Sequence, residues 1–339
     1  MERNILRLLV GAFVSVAFGW AQSPEFTLKV DVPYVSVDVT VQDETGKAIS
    51  DLTSGAFTVY ENDVRQEIVY FFPVSTPYNV QFLFDRSGST QDQWPLMQRA
   101  VAGFISGLRA QDRIAISSFD FELESLLPWT NDRRRALLVL PELTRLNRIG
   151  GTDFYGSLER TLRRDFRSVK GRRALVVLTD GRDTSLYKYI VNRNRLLEPE
   201  EDRPYQKVLK EARTQRIPVY VVAFNTDKNF APGVIGGDEY RTLGVIFPKS
   251  TIPDRYLAGV RFRMEELAEV SGGRIIYPER LEDIVPLYQQ IGNELGTSYT
   301  LGYISSNAVT DGSFRKIEIR ASDPRLRISQ SRSGYYAKR

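Results

Sequence analysis

Asp85, Ser87 and Ser89 alternate with Arg86 and Gly88 directly after the apolar run Phe82-Leu83-Phe84. An acid and two hydroxyls at that spacing can converge in one tight loop, because Gly88 lets the backbone turn. Oxygen donors of this kind suit a hard divalent cation, Mg²⁺, Mn²⁺ or Ca²⁺, rather than zinc or copper. Two later stretches offer more of the same chemistry. Gly150-Gly151-Thr152-Asp153 is a turn bearing another hydroxyl, and Ala174-Leu175-Val176-Val177-Leu178-Thr179-Asp180-Gly181 is a second apolar run that ends in an acid. A lone Asp-x-Ser-x-Ser is ordinary turn composition. Three pieces in order, two of them at predicted strand ends, are not. Thr152 or Asp153 has a second use as the N-cap of the helix that follows. Asp183 reads as a turn residue rather than a further ligand, and Arg86 as a side chain facing solvent, with a salt bridge to a partner carboxylate as its alternative.

The 339 residues include no histidine and no cysteine. That removes Ser-His-Asp and Cys-His catalysis, histidine-ligated and thiolate-ligated zinc, and disulfides. The apolar share of 42% and charged share of 26% are those of a soluble globular chain with room for a sizeable core. The formal charge is +4 and the pI about 9.1. The clusters Arg133-Arg134-Arg135, Arg163-Arg164 and Arg172-Arg173 lie in or beside predicted helices and turns among acids. They read as solvated faces, so no nucleic-acid binding is inferred.

The apolar runs must be buried strands to bring their terminal acids together. Trp94-Pro95 opens a helix whose apolar residues Met97, Ala100, Val101, Phe104, Ile105 and Leu108 share one face. Strands and helices then alternate to about residue 295, which implies a doubly wound, mainly parallel α/β sheet. If the Asp85 and Asp180 strands flank its switch point, the two acids face each other across the crevice at the strands' carboxyl ends. Val35, Val37, Val39 and Val41 alternate with polar residues, and residues 26–72 read as all-β. From Ser298 the chain turns β again, at Tyr299 to Ile304, Phe314 to Ala321 and Leu326 to Ser331. Neither β part is long enough for a core of its own. The two are therefore expected to join into one β-sandwich, with the α/β domain inserted in or flanked by it; two separate β appendages are the alternative. Two insertions, 182–204 and 225–260, leave the carboxyl ends of strands and should overhang the site. The second, with Pro232, Gly233, Gly236, Gly237, Pro248 and Pro253, reads as irregular and partly mobile, and disordered surface decoration is the alternative for both.

Met1 to Ala21 reads as a secretory signal: Arg3 and Arg7 precede an apolar core from Leu8 to Trp20, and Gly19-Trp20-Ala21 is a small-x-small cleavage site. The expected division is a signal peptide at 1–21, an N-terminal β part at 22–76, an α/β domain at 77–297 and a C-terminal β part at 298–339. The mature protein, with no membrane span, is expected in the periplasm or outside the cell. An uncleaved N-terminal membrane anchor is the alternative.

Taken together, Asp85-x-Ser87-x-Ser89, Thr152 and Asp180 resemble the five-part metal-ion-dependent adhesion site of von Willebrand factor type A domains. Tyr299-Thr-Leu-Gly-Tyr303 and Arg332-Ser-Gly-Tyr-Tyr-Ala337 resemble the acidobacterial-type VWFA-related family. The resemblance covers nearly the whole mature chain. It implies a von Willebrand factor A, Rossmann-like fold, those five residues as ligands of a divalent cation, first of all Mg²⁺, and no enzymatic activity. It further implies adhesion or scaffolding through a protein partner that presents an exposed Asp or Glu to the metal. Two other classes stand beside it: a metal-free structural component of the envelope, and a Mg²⁺-dependent phosphohydrolase with Asp85 as nucleophile or base. The second lacks the nearby second acid that such chemistry uses.

Overall fold

The computed structural model describes residues 34–144, 151–215, 217–224, 239–278 and 283–337. The segment read as a signal peptide, Gly150, and the first part of the second insertion (225–238) lie outside the described residues.

Four short strands come first: β1 (Tyr34–Gln42), β2 (Phe57–Glu61), β3 (Val64–Gln66) and β4 (Ile68–Phe72). The α/β part then runs β5 (Tyr78–Asp85), α1 (Trp94–Gly107), β6 (Arg113–Phe119), β7 (Leu123–Thr130), α2 (Arg133–Val139), α3 (Phe154–Arg160) and β8 (Arg172–Thr179). It continues through α4 (Thr184–Arg193), α5 (Arg203–Gln215), β9 (Val219–Ala223), α6 (Glu239–Ile246), α7 (Ile252–Ser271), β10 (Ile275–Ile276) and α8 (Ile284–Thr297). Strands β11 (Tyr299–Ile304), β12 (Phe314–Ala321), β13 (Arg327–Gln330) and β14 (Gly334–Tyr336) close the chain.

The central sheet has the order β10-β9-β8-β5-β6-β7, parallel except for β7 at one edge. Strand β5 is buried along its whole length because both faces are covered. Val80, Phe82 and Phe84 point into one core with Phe104 of α1 and Tyr288 of α8. Leu83 points the other way, with Leu175 and Val177 of β8, into a core closed by α3, α5 and α7. The polar Gln81 is tolerated because its amide donates to Ser117 Oγ at 3.0 Å and to Asp165 Oδ2 at 2.9 Å. Parallel pairing of Phe84 with Leu178 sets the ends of β5 and β8 side by side.

The N- and C-terminal strands share two four-stranded antiparallel sheets, β13-β1-β11-β4 and β14-β12-β2-β3. The alternating valines of β1 meet Phe57, Val59, Tyr299, Leu301, Ile317 and Ile319 in a third core drawn from both ends of the chain. The two motifs near the C-terminus converge there: Tyr303 and Tyr335 both donate their hydroxyls to Glu61 Oε2, at 2.8 and 2.9 Å.

Three expectations need correction. The second insertion is helical where it is described, and α7 is a 20-residue helix. Pro253 misled the reading: it sits in the first helical turn, where its missing N–H has no partner to lose. Arg172 is no solvated side chain but 2% exposed at the start of β8, where it donates to Leu295 O, Ser298 Oγ and Thr300 Oγ1. Arg86 is also buried, at 2%, and its NH2 is 2.8 Å from Glu124 Oε2.

Candidate metal centre

The loop after β5 is organised by its own side chains. Asp85 Oδ1 accepts the Ser87 backbone N–H at 2.9 Å, and Thr90 Oγ1 donates within reach of both the Asp85 and Ser87 carbonyls, at 2.8 and 3.0 Å. Trp94 Nε1, at the head of α1, donates to Thr90 Oγ1 at 3.1 Å and ties loop to helix. The Ser87 and Ser89 hydroxyls lie 3.0 Å apart, so two neutral oxygens share one spot beside the acid.

From β8, Thr179 Oγ1 donates to Asp85 Oδ2 at 2.7 Å and accepts the Gly181 N–H at 2.8 Å. Gly181 has φ +74°, and a Cβ there would lie 2.3 Å from Met264 Sδ, so glycine alone lets the chain turn over α7 at this point. Asp180 and Asp85 are both 0% exposed. Burial, and after it the negative charge of Asp180, pushes the Asp85 carboxyl well above the usual carboxylate range, against the opposing hydrogen bonds from Ser87 and Thr179. Asp180 Oδ1 accepts the Arg182 N–H at 3.1 Å, whereas the buried Oδ2 accepts no hydrogen bond. Arg182 Nε stands 3.6 Å from that oxygen, within Coulombic reach yet too far for a hydrogen bond.

Thr152 arrives on a third loop. Its N–H donates to Thr184 Oγ1 at 2.7 Å and its carbonyl accepts the Thr184 N–H at 3.0 Å, which locks it to the segment after Asp180. Gly151 is needed for that approach, since a Cβ there would lie 2.3 Å from Thr184 Oγ1 and 2.6 Å from the Phe121 ring. Of the two candidates for N-cap of α3, Asp153 takes the role, accepting the Gly156 N–H at 3.1 Å. The Thr152 hydroxyl makes no hydrogen bond within the described residues and is left for another use. Asp183 caps α4 by accepting from Ser185 N at 2.8 Å and also takes the Tyr155 N–H at 3.1 Å.

Asp85, Ser87 and Ser89 are thus joined by hydrogen bonds, Asp180 is coupled to them by charge, and Thr152 is fixed through Thr184. These residues fit a hard divalent cation: two carboxylates, one with a buried oxygen accepting no hydrogen bond, and neutral hydroxyls around them. Among the described residues no group of three or more acids gathers, so any further donors would have to be hydroxyl, carbonyl or water oxygens. Sequence reading missed the two buried guanidinium groups at the rim, Arg86 and Arg182. Only their neighbours in space reveal them, since a lone arginine in a turn carries no sign of burial.

Residues 79–263 match the family model of the von Willebrand factor type A domain. The chain belongs to that family, whose domains serve as protein-interaction modules. Solved structures are similar at low identity. A von Willebrand factor type A protein from Catenulispora acidiphila is 10% identical with a TM-score of 0.45, covering 91% of this chain and 75% of its own. The conserved hypothetical protein BatB from Bacteroides thetaiotaomicron is 15% identical with a TM-score of 0.41, covering 64% and 98%. Proximal thread matrix protein 1 from the mussel byssus, with a zinc-occupied MIDAS motif, is 13% identical with a TM-score of 0.38, covering 64% and 48%. No curated protein matches the chain. No helix of the described residues is long and apolar enough to cross a membrane.

Proposed function

We propose that this chain is an exported, metal-dependent protein-binding module. In this reading Asp85, Ser87, Ser89, Thr152 and Asp180 hold a divalent cation, Mg²⁺ before Mn²⁺ or Ca²⁺, which bridges to an Asp or Glu of a protein partner. The observation that carries it is Asp180 Oδ2, a fully buried carboxylate oxygen accepting no hydrogen bond opposite a second buried acid. Two carboxylates balance a divalent charge and hydroxyls add none, so the metal keeps an attraction for one more anionic oxygen. Phe121, 52% exposed in the β6–β7 turn and seated against Gly151, supplies an apolar contact at the rim. Export rests on the sequence of residues 1–21. Residues 34–337 hold together as part of one compact unit, and within it we separate the α/β domain 77–297 from a sandwich built from the described strands of the two flanking β parts, which the sequence bounds at 22–76 and 298–339.

Calorimetric titration with Mg²⁺ and Mn²⁺ tests the site, with saturable binding by wild type and none by Asp180→Ala expected. Affinity capture from an envelope extract, each protein with Mg²⁺ and with EDTA, then tests the bridge. Proteins recovered only by metal-loaded wild type carry the reading. Equal recovery in all arms sinks it. Mass spectrometry of the mature N-terminus checks export, since an intact Met1 on membrane-bound protein means an anchor.

A further inference from the structure

Helix α2 carries apolar residues on two sides, and the fold uses one of them. Ala136, with Leu140 and Leu143 just beyond the helix, is buried in the core that α1 shares. Gln98 of α1 donates its amide to the Leu140 carbonyl at 2.8 Å and holds the segment there. Leu137 and Leu138 turn away from that core and are 39% and 76% exposed. Arg134 lies three and four residues before them and Arg135 three before Leu138, so two arginines and two leucines share the outer face of the helix. Leucines scattered singly over a surface are ordinary, but an adjacent pair bordered by cations is not.

The charge around this face is one-sided. Arg134 and Arg135 are exposed and Arg133 half-buried, and none of the three has an acidic partner among the described residues. Arg113, also exposed and without an acidic partner there, joins them at the head of the helix. Its neighbour Ile114 pairs with Thr130, the last residue of β7, and its guanidinium carbon lies 5.8 Å from the centre of the Trp129 ring. Asp132 is the acid at this corner, and its Oδ1 caps α2 by accepting the N–H groups of Arg134 at 3.0 Å and Arg135 at 3.2 Å. Four guanidinium groups therefore stand against one carboxylate, which selects a negatively charged occupant. A protein interface takes roughly 800 Å² from each partner, far more than two leucine side chains present. Shallow insertion into an anionic bilayer needs only a few apolar side chains with cations beside them.

We propose that α2 is a membrane-surface contact, in which Leu137 and Leu138 enter the interfacial layer of an anionic bilayer while Arg113, Arg134 and Arg135 meet its headgroup phosphates. The helix lies on the bilayer and does not cross it. The contact is independent of the proposed metal centre, because Arg113 stands level with Asn79, six residue steps or about 20 Å along β5 from Asp85. It uses none of residues 1–21, so it holds whether that segment is removed or retained.

The chain has no cysteine, so Leu138→Cys in the full chain takes a single environment-sensitive nitrobenzoxadiazole label, and Val309→Cys, at a 58% exposed position of the sandwich part, takes the control label. Vesicles of phosphatidylglycerol and phosphatidylcholine in equal parts are compared with pure phosphatidylcholine vesicles and with soluble polyglutamate. The label at position 138 should brighten and shift to shorter wavelength with the mixed vesicles alone, and lose the response at about 1 M salt, where the Debye length falls to about 3 Å. Arg134→Glu combined with Arg135→Glu places acids in the first helical turn, where the helix dipole favours them. That variant should keep the melting temperature and need at least about tenfold more lipid for half the response. A retained N-terminal segment would tether the chain to both kinds of vesicle without selecting position 138. The proposal is overturned if the two kinds of vesicle act alike or neither acts, if the label at position 309 responds as the one at 138 does, or if the double variant responds like the parent. It is overturned too if polyglutamate gives as large a shift, which would assign the face to an acidic polymer such as a protein.

Discussion

Glu61 in the sandwich and Asp180 at the end of β8 are withdrawn from solvent to a similar degree, 3% and 0% exposed, yet their surroundings differ in kind. Glu61 Oε1 accepts from Ser305 Oγ at 2.5 Å and from Arg315 NH1 at 3.3 Å, and Oε2 accepts from Tyr303 and Tyr335. Arg315 is itself buried and also donates to the carbonyls of Asn307 and Val309. Here charge is balanced and both oxygens are filled, which is how a folded chain keeps an ion pair that only holds strands together. Asp180 has one backbone donor, a guanidinium held off at 3.6 Å, and a second acid pressing on it. Burial alone therefore does not distinguish a structural acid from a candidate ligand. What distinguishes them is whether the lone pairs are used.

Mutation at Glu61 should give the largest effect in the molecule. Glu61→Ala strands the buried Arg315 charge and the Tyr303 and Tyr335 hydroxyls, at a cost of about 3–5 kcal/mol. Urea unfolding measures it, and a loss below about 1 kcal/mol would show that the sandwich network is ornamental and the comparison void. Because the sandwich network and the proposed metal centre share no residue, a variant that still folds should keep any response to Mg²⁺.

Asp180→Asn should do the reverse. Without metal it removes both the repulsion on Asp85 and the attraction to Arg182, two changes that oppose each other, so the variant should lose far less stability than Glu61→Ala does. With Mg²⁺ at ten times its Kd, wild type should gain about 1.4 kcal/mol, a melting shift of roughly 3–6 °C. The variant should gain nothing. Identical melting of wild type and variant with and without Mg²⁺, Mn²⁺ and EDTA would leave Asp180 a merely strained residue.

Arg182 sharpens the contrast by a smaller amount. Its Nε lies in the field of Asp180, 3.6 Å from Oδ2 and beyond hydrogen-bond reach, and so offsets charge that a cation would otherwise meet. Arg182→Gln should lower the stability of the metal-free protein by about 1–2 kcal/mol and increase the stabilisation by Mg²⁺ at fixed concentration by roughly 1 kcal/mol. Melting curves over a Mg²⁺ series give both numbers. A smaller metal shift in the variant would mean that Arg182 builds the site instead of competing within it.

Much of this was legible in the sequence because the signal was local. The runs ending in Asp85 and Asp180 are apolar over a strand's length, and Tyr299 to Ile304 and Phe314 to Ala321 begin and end as strands where their turn residues say they should. The adjacency of β5 and β8 followed from the logic of a doubly wound sheet. What was hidden depended on tertiary neighbours. Pro253 looks like loop punctuation, yet α7 runs through it because Tyr256, Leu257, Val260 and Met264 bury against α5 and β9. Arg86 and Arg172 look solvated, and their burial was settled by elements distant in the chain. The uncommitted Thr152 hydroxyl was visible only as one of two candidate caps until Asp153 was seen to take that role.

The smallest expected effect on stability is at Phe121, and its smallness is the point. The ring is 52% exposed in a turn that is held without it. Asp120 Oδ1 accepts the Glu122 N–H at 2.9 Å, and the Asp120 carbonyl accepts the Asp153 N–H at 2.8 Å, which fixes the turn to the Thr152 loop. Phe121→Ala should therefore change stability by no more than about 0.5 kcal/mol and leave the Mg²⁺ melting shift intact. If the site binds a protein, the same substitution removes an aromatic anchor beside the proposed metal, and truncating such anchors costs about 1 kcal/mol of binding or more, roughly a fivefold fall or more in occupancy at limiting partner. Metal-dependent capture from envelope extract by this variant should then fall while its melting curve does not. Unchanged capture would place the partner elsewhere on the rim, and a lost metal shift would make Phe121 part of the loop scaffold. A ring that stabilises nothing in the free protein and still matters to capture would join Asp180 in the proposed binding site.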